Sequence, residues 1–242
     1  FMYGMYGYGY GYGLDPTIIL VLIGVALSLW AQGRVNSTFS RYSRVRSMTG
    51  MTGAEAARRL LNAQGIYDVT VQQIAGELTD HYDPRTKTVN LSQSVYGATS
   101  VAAIGVAAHE CGHAMQDNEG YAPLRFRSAL VPAANFGSKL SWPLILLGLV
   151  FGGLGSPLVE IGILMFSLAV LFQLVTLPVE YNASARAVRL LDAQGILAGE
   201  EVNGTRKVLN AAALTYVAAA ATSILQLLRL IILFGGRNRR DR

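Results

Sequence analysis

Long apolar segments alternate with polar stretches along the chain, and their lengths predict membrane helices. About 20 apolar residues span a bilayer as an α-helix. Residues 14–31 form one such segment, and residues 141–177 contain two more around a short glycine-rich turn, which predicts a transmembrane hairpin. Residues 210–234 are ambiguous, because their first half is alanine-rich and their apolar second half contains Arg229. This segment either crosses the membrane or packs on the rest of the protein, so we expect three or four transmembrane helices.

The region between the first two predicted spans, residues 48–139, has the pattern of a folded domain outside the bilayer. Thr52 and Glu55 have the spacing of a capping box, which predicts a helix that continues to Ala63. Strand patterns follow, and then an apolar helical stretch that ends near Asn118. The strands are expected at Val69–Ile74, Glu77–Tyr82 and Thr88–Ser92, with a turn between the last two. The fold class is therefore a mainly α-helical integral membrane protein with a small β-hairpin or sheet.

Composition supports a membrane protein. The chain is 52% hydrophobic and 14% charged, whereas soluble proteins are about 25% charged. Its net charge of +5 comes from arginines that cluster beside apolar segments, so we expect a lipid bilayer and no nucleic acid as a partner. Four arginines follow the first span, and residues 1–13, a tyrosine- and glycine-rich tail, contain none. The positive-inside rule then predicts an outside N-terminus and a cytoplasmic domain. A basic tail occupies residues 235–242.

Two of the three histidines, His109 and His113, stand four residues apart with Glu110 between them. On a helix such positions share a face about 6 Å apart, so both imidazoles can bind one metal ion. Glu110 is rotated by about 100° and can reach a water beside the ion. This H-E-x-x-H arrangement is typical of zinc hydrolases in which the glutamate is the general base. Cys111, the one cysteine, faces away from His109 and is expected in the core.

A catalytic zinc site needs a third protein ligand and an open position for water. Glu180 is the favoured candidate, because the predicted hairpin returns the chain to the side of the motif. Pro178 is expected to begin a helix over residues 179–193, whose dipole favours a carboxylate at its start. The predicted third-ligand helix and its linker together occupy residues 179–209. His81 is an alternative third ligand, whereas Asp117 and Glu119 would have to fold back from the end of the motif helix.

Four stretches of the chain resemble the neutral zinc metallopeptidases of the YugP type, which are bacterial integral membrane proteins. They are G-E-L-T-D-H-Y-D-P-R at residues 76–85, A-A-H-E-C-G-H-A at 107–114, E-G-Y-A-P-L at 119–124 and L-P-V-E-Y-N-A-S at 177–184. The resemblance implies a zincin-like domain in the bacterial plasma membrane. It also implies one Zn²⁺ bound by His109, His113 and Glu180, with Glu110 as the catalytic base.

A looser similarity extends to the HtpX-like membrane proteases. In those proteins an aspartate four residues after the glutamate ligand orients a ligand histidine. Ser184 occupies that place here, so Ser184 or Asn182 is expected to support the ligands instead.

The predicted activity is hydrolysis of peptide bonds in membrane or unfolded proteins on the cytoplasmic side. It requires an electrophile for the oxyanion, for which His81 is preferred over Tyr82, Tyr121 and Tyr181. The strand at residues 89–92 is expected to be an edge strand that pairs with an extended substrate. Two alternatives stay open at this point. One is an intramembrane protease, and the other is a membrane scaffold whose zinc is structural, for which a fourth protein ligand is usual.

Overall fold

The computed structural model describes residues 15–153 and 156–235. The tyrosine- and glycine-rich tail and the basic tail after residue 235 lie outside these ranges. Within them the chain forms seven helices and three short strands. In chain order they are α1 (Ile18–Ser43), α2 (Gly53–Ala63), β1 (Thr70–Ile74), β2 (His81–Asp83), β3 (Thr88–Ser92), α3 (Gln93–Tyr96), α4 (Val101–Asn118), α5 (Ala122–Gly152), α6 (Pro157–Ala193) and α7 (Glu200–Phe234).

Four helices, α1, α5, α6 and α7, are long and apolar enough to cross a membrane. Large apolar side chains on their surfaces are exposed, among them Leu29 at 69% and Phe151 at 80%. Such exposure is expected where lipid rather than water surrounds a helix. The ambiguous segment at residues 210–234 therefore belongs to a fourth candidate span.

The arginine inside that segment has a partner at the start of α1. The guanidinium of Arg229 donates to the Thr17 hydroxyl at 3.2 Å and lies 3.4 Å from the Asp15 carboxylate. Nearer the middle of both helices, Thr222 of α7 donates to the carbonyl of Gly24 of α1 at 3.1 Å. The two helices thus pack antiparallel, and the ion pair explains how the apolar half of α7 accommodates a charge.

The two arms of the predicted hairpin extend well beyond their apolar segments. Helix α5 begins at Ala122, so the predicted boundary near residue 140 falls within one continuous helix. Helix α6 continues through Pro178 to Ala193, and the prediction of a separate helix from residue 179 is wrong. Proline is tolerated inside membrane helices because neighbouring groups can satisfy the freed backbone carbonyl. The apolar pattern marks only the lipid-facing length and misses the polar extension of each helix.

The strands form one sheet of order β1-β3-β2. β2 pairs antiparallel with β3, as predicted for the hairpin, and β1 pairs parallel with β3. The prediction that residues 89–92 form an edge strand is therefore wrong, because β3 is the central strand. The expected strand from Glu77 is also shorter and starts at His81. Positive φ angles at Gly76 (103°) and Leu78 (53°) bend the backbone there into a turn.

Helix α4 is the central element of the fold. It is almost entirely buried and packs against α2, β3, α6 and α7. The apolar core joins all of these elements through buried residues, among them Leu60, Leu91, Ile104, Leu191 and Leu209. The non-membrane elements and the polar ends of α6 and α7 therefore share one core, in which the motif helix packs against α6 and α7.

Candidate metal centre

The two motif histidines lie on one face of α4. The Ser100 side chain caps this helix by accepting a hydrogen bond from the Ala103 backbone N–H at 3.2 Å. The ring centroids of His109 and His113 are 4.8 Å apart, with their planes nearly perpendicular. The helix thus brings two imidazoles to one point, as the spacing in the sequence predicts.

Glu180 of α6 lies beside both rings. Its Oε2 is 3.2 Å from Nε2 of His109 and 3.5 Å from Nε2 of His113. Its side chain is only 2% exposed. Candidate ligand atoms of these three residues all lie within 4.8 Å of one another. The sequence predicted that Glu180 stands at the start of a helix, where the helix dipole favours a carboxylate. That prediction is wrong, because Glu180 lies far inside α6.

Close packing of α4 on α6 brings the third side chain to the histidines. A Cβ atom added at Gly112 would lie 2.6 Å from the Ala183 carbonyl oxygen. Only a glycine allows this approach, which explains the small residue within the motif H-E-C-G-H. The contact fixes the distance between the helix that carries the histidines and the helix that carries Glu180.

A second layer of hydrogen bonds orients each imidazole. Ser184 Oγ is 3.1 Å from Nδ1 of His109, and Gln116 Oε1 is 3.0 Å from Nδ1 of His113. If each Nδ1 carries the proton, as these two oxygen partners favour, each Nε2 presents a lone pair toward Glu180. The Gln116 amide in turn donates to Asn182 Oδ1 at 2.9 Å. Ser184 therefore contacts a candidate ligand directly, and Asn182 reaches the other one through Gln116.

Arg127 of α5 contacts the other oxygen of the glutamate. Its Nη1 is 3.6 Å from Glu180 Oε1, while Oε2 faces the two histidines. Arg127 Nε is buried and is the one buried side-chain polar atom in the described parts of the chain that lacks a hydrogen-bond partner. The Arg127 guanidinium thus neutralises the Glu180 carboxylate at the oxygen that does not face the histidines, and its Nε–H has no hydrogen-bond acceptor.

A cavity of about 640 Å³ opens beside this cluster. Elements from five parts of the chain enclose it: the β2 region, the motif helix α4, the first half of α5, and one residue each of α6 and α7. Glu110 lines it and is 7% exposed. The lining side chains are Asp80, His81, Tyr82, Asp83, Pro84, Arg85, His109, Glu110, His113, Leu124, Arg127, Ser128, Val131, Pro132, Glu180 and Tyr216. The motif glutamate and the three candidate ligands therefore face one shared space.

The alternative third ligands are engaged elsewhere. His81 lines the cavity, but its Nδ1 is 2.9 Å from the Thr79 carbonyl and its Nε2 is 3.2 Å from the Asn90 amide. Asp117 accepts hydrogen bonds from Tyr82 and Lys87, at 2.8 and 2.7 Å. Glu119 pairs with an arginine of α6. Among the described residues, the grouping that includes the two motif histidines takes Glu180 as its third member.

Three further predicted residues lie in other surroundings. Cys111 is fully buried and donates to the Ala57 carbonyl, and burial raises the pKa of its thiol. It is a core residue, as predicted. Tyr121 packs near the Arg186 guanidinium, and Tyr181 lines a different cavity. These two tyrosines are therefore not in position to contact a substrate carbonyl beside Glu110.

Sequence reasoning missed three residues of the site, Gln116, Arg127 and Tyr216. Gln116 carried a usable signal, because it stands three residues after His113 and so shares a helix face with that ligand. The sequence gives no comparable signal for Arg127 and Tyr216, because they belong to α5 and to the alanine-rich part of α7. Only the packing of those helices on α4 brings them to the cavity.

The arrangement fits a zinc ion. Ligands about 2.0–2.1 Å from a tetrahedral ion lie about 3.3–3.4 Å from one another. The observed Nε2–Oε2 separations of 3.2 and 3.5 Å are close to that value, and the three candidate ligand atoms as a set lie within 4.8 Å of one another. Two imidazoles and one carboxylate with a cavity beside them match the three-ligand, one-open-position pattern of catalytic zinc.

A mainly helical chain with four candidate membrane spans and these three side chains within 4.8 Å of one another has the features of a membrane protein with a candidate zinc site. Residues 17–235 match the family described as "putative neutral zinc metallopeptidase", and the chain belongs to that family. It is similar to the "putative membrane protease YugP" of Bacillus subtilis (strain 168), with 49% identity over 217 residues. The aligned region covers 90% of this chain and 96% of that relative. No solved structure matches the chain significantly. The resemblance inferred from the four motifs is confirmed.

Proposed function

We propose that this protein is a membrane-bound zinc metalloendopeptidase that hydrolyses peptide bonds of membrane or unfolded proteins. One observation carries the proposal. Nε2 of His109 and Nε2 of His113 lie 3.2 and 3.5 Å from Oε2 of Glu180, and Glu110 lines the cavity beside these three residues. The family membership and the name of the Bacillus relative support the same conclusion.

His109, His113 and Glu180 would hold the ion. A zinc ion bound there supplies Lewis acidity for a carbonyl and lowers the pKa of a water molecule. Ser184 Oγ and Gln116 Oε1 lie where they can each accept a hydrogen bond from Nδ1–H, the tautomer that leaves Nε2 unprotonated for an ion. Arg127 compensates the charge of the buried Glu180 carboxylate, which would otherwise be costly to bury.

Glu110 is the general base in this proposal. It follows His109 directly, so its carboxylate projects from a neighbouring face of α4 into the cavity. There it takes a proton from the attacking water and later passes it to the leaving amine. Its low exposure limits competing hydration of the carboxylate and favours proton transfer to a group held in the cavity.

The substrate pairs with β2 rather than β3. β2 is an edge strand of the sheet, and its residues His81–Asp83 line the cavity that contains Glu110. An edge strand offers free backbone groups that can pair with an extended peptide. Extended chain is available in unfolded proteins and in unstructured segments of membrane proteins, which supports this substrate class.

Two residues compete to stabilise the oxyanion. His81 remains a candidate because it lines the cavity, although both of its ring nitrogens already have partners. Arg127 brings a full positive charge to the same cavity, and its buried Nε has no hydrogen-bond partner. If Arg127 has this role, Arg127→Gln reduces kcat while His81→Phe leaves it nearly unchanged. The reverse result assigns the role to His81.

We further propose that the site faces the cytoplasm of a bacterial cell. The four arginines that follow the first span lie in the second half of α1 and just after it, and Arg46 pairs with Ser100 at the start of the motif helix α4. This distribution supports a cytoplasmic position of the motif helix. An intramembrane position of the motif helix is disfavoured, because α4 packs among α2, β3, α6 and α7 and is not one of the apolar spans.

The test is cleavage of casein, an unfolded substrate, by the detergent-purified protein and its Glu110→Gln variant. Glu77→Gln is a matched control, because Glu77 is exposed and lies outside the cavity. We expect cutting by the wild type and the control and at least a thousandfold less by Glu110→Gln. Equal cutting by all three would indicate a contaminating protease. If none cuts while each binds zinc, the scaffold function with a non-catalytic zinc becomes the better account.

A further inference from the structure

A second cavity, of about 750 Å³, lies between α1 and α7 on another side of α6. Its α1 wall is formed by Arg34, Ser37, Thr38, Arg41 and Tyr42. Its α7 wall is formed by Lys207, Asn210, Ala211 and Leu214. Both sets recur at helical spacing, so each is one continuous face of its helix. We call this cavity the basic groove.

Three cations line the basic groove, and no carboxylate does. Within the described ranges, Arg34, Arg41 and Lys207 make no ion pair with an acidic side chain, whereas Arg127, Arg186 and Arg229 each do. Hydroxyl and amide groups of Ser37, Thr38 and Asn210 lie among the cations. Unpaired guanidinium and ammonium groups with neutral donors between them are the chemistry that binds phosphate.

The basic groove lies at the depth of lipid headgroups. The apolar part of α1 ends at Ala31, just before Arg34, and Trp30 at this boundary is 56% exposed. Tryptophan is enriched at membrane–water interfaces. On α7 the groove ends at Leu214, and the exposed apolar side chains of the span begin at Val217. A phospholipid whose phosphate group binds among the cations would therefore direct its acyl chains along the lipid-facing surface of α1 and α7.

We propose that the basic groove binds the phosphate group of an anionic phospholipid. Tyr181 connects this groove to the metal centre, because it lines the groove and directly follows Glu180 in α6. A lipid held there bridges α1 and α7 beside the helix that carries the third candidate ligand. The site is independent of the proposed peptidase activity, so its test uses binding and not proteolysis.

The test compares lipid binding by the wild type and by an Arg34→Gln/Lys207→Gln variant, which removes one cation from each wall. Native mass spectrometry of the full chain in detergent would measure binding of phosphatidylglycerol, with phosphatidylcholine as the zwitterionic comparison. Each basic residue near a membrane surface contributes about 1 kcal/mol to binding of anionic lipid, so the double variant should lose about thirtyfold in affinity for phosphatidylglycerol. Binding of phosphatidylcholine should not change.

The matched control is Arg44→Gln/Arg46→Gln. It removes the same charge at the same end of α1, and both residues are exposed and lie outside the groove. The control should bind phosphatidylglycerol as the wild type does, and so should Lys207→Arg, which keeps the charge. Equal losses in the two double variants would overturn the proposal, because they would indicate a diffuse charge effect. Competition by inorganic phosphate at millimolar concentration would overturn the lipid assignment in favour of a free anion.

Discussion

The contact between Gly112 and Ala183 provides a sensitive test of how the metal centre is assembled. A methyl group at position 112 would lie 2.6 Å from the Ala183 carbonyl oxygen, and ordinary contact begins near 3.4 Å. In Gly112→Ala, α4 and α6 must therefore separate by about 0.8 Å, because neither backbone can yield as a flexible side chain would. Metal–ligand distances tolerate only about 0.2 Å.

The expected loss is mainly in zinc affinity. Overpacking costs about 1–3 kcal/mol, and the better helix propensity of alanine returns about 1 kcal/mol. The metal-free protein should thus lose between about 0 and 2 kcal/mol of folding stability. Because Glu180 and Ser184 both lie on the displaced helix, zinc affinity should fall at least tenfold, and competition with a fluorescent chelator measures it.

Gly33→Ala is the matched control for this substitution. It lies in the interior of α1, where a new Cβ meets no atom within 4 Å. It should raise stability by about 1 kcal/mol through helix propensity and leave zinc affinity unchanged. If Gly112→Ala binds zinc as tightly as the control does, the helix contact does not set the ligand geometry and the reasoning is refuted.

Two other predictions address the ligand support and the orientation of the chain. Ser184→Ala removes the hydroxyl that lies 3.1 Å from Nδ1 of His109 and should weaken zinc binding by about 10–100-fold. The control Ser167→Ala, in the same helix, should bind zinc as the wild type does. Equal zinc affinities of the two variants would show that the contact has no role. Because Cys111 is fully buried, single cysteines can report topology. A membrane-impermeant maleimide should label Gly153→Cys in intact cells and Gln64→Cys only after permeabilisation, and the opposite pattern would place the metal centre outside.

The candidate metal site is the part of the molecule that the sequence defines best. His109, Glu110 and His113 depend only on the period of one helix, and that helix ends at Asn118, as predicted. The capping box of α2 and the turn before β3 are equally local and also agree with the structure. Each of these features is set by residues within a few positions of one another, so the sequence pattern contains all of the information they need.

The features that sequence reasoning missed depend on contacts between distant helices. Pro178 looked like a helix start, but neighbouring helices in the bundle let α6 continue through it. Arg229 made the span at residues 210–234 ambiguous, because its partner Asp15 lies more than 200 residues earlier in the chain. Arg127 and Tyr216 reach the cavity only through the packing of α5 and α7. None of these contacts between helices can be read from the residues within a short segment of the sequence.

The strand order shows a similar limit. The turn predicts that β2 and β3 form a hairpin, and they do. The sequence pattern of β1 does not indicate whether this strand pairs with β2 or with β3. Because β1 pairs in parallel with β3, β2 is the edge strand beside the cavity. The proposed substrate-binding strand is therefore β2, whereas the sequence favoured β3.

The most direct measurement is a titration of metal-free protein with zinc, with zinc binding and casein cleavage recorded together. The account predicts that cleavage rises linearly up to one equivalent of zinc per chain and then stays constant. It also predicts that Glu110→Gln binds the same single equivalent without cleaving, since Glu110 is the base and not a ligand. Cleavage that is unaffected by zinc, or a Glu110→Gln variant that cleaves as fast as the wild type at one equivalent, would contradict the central claim.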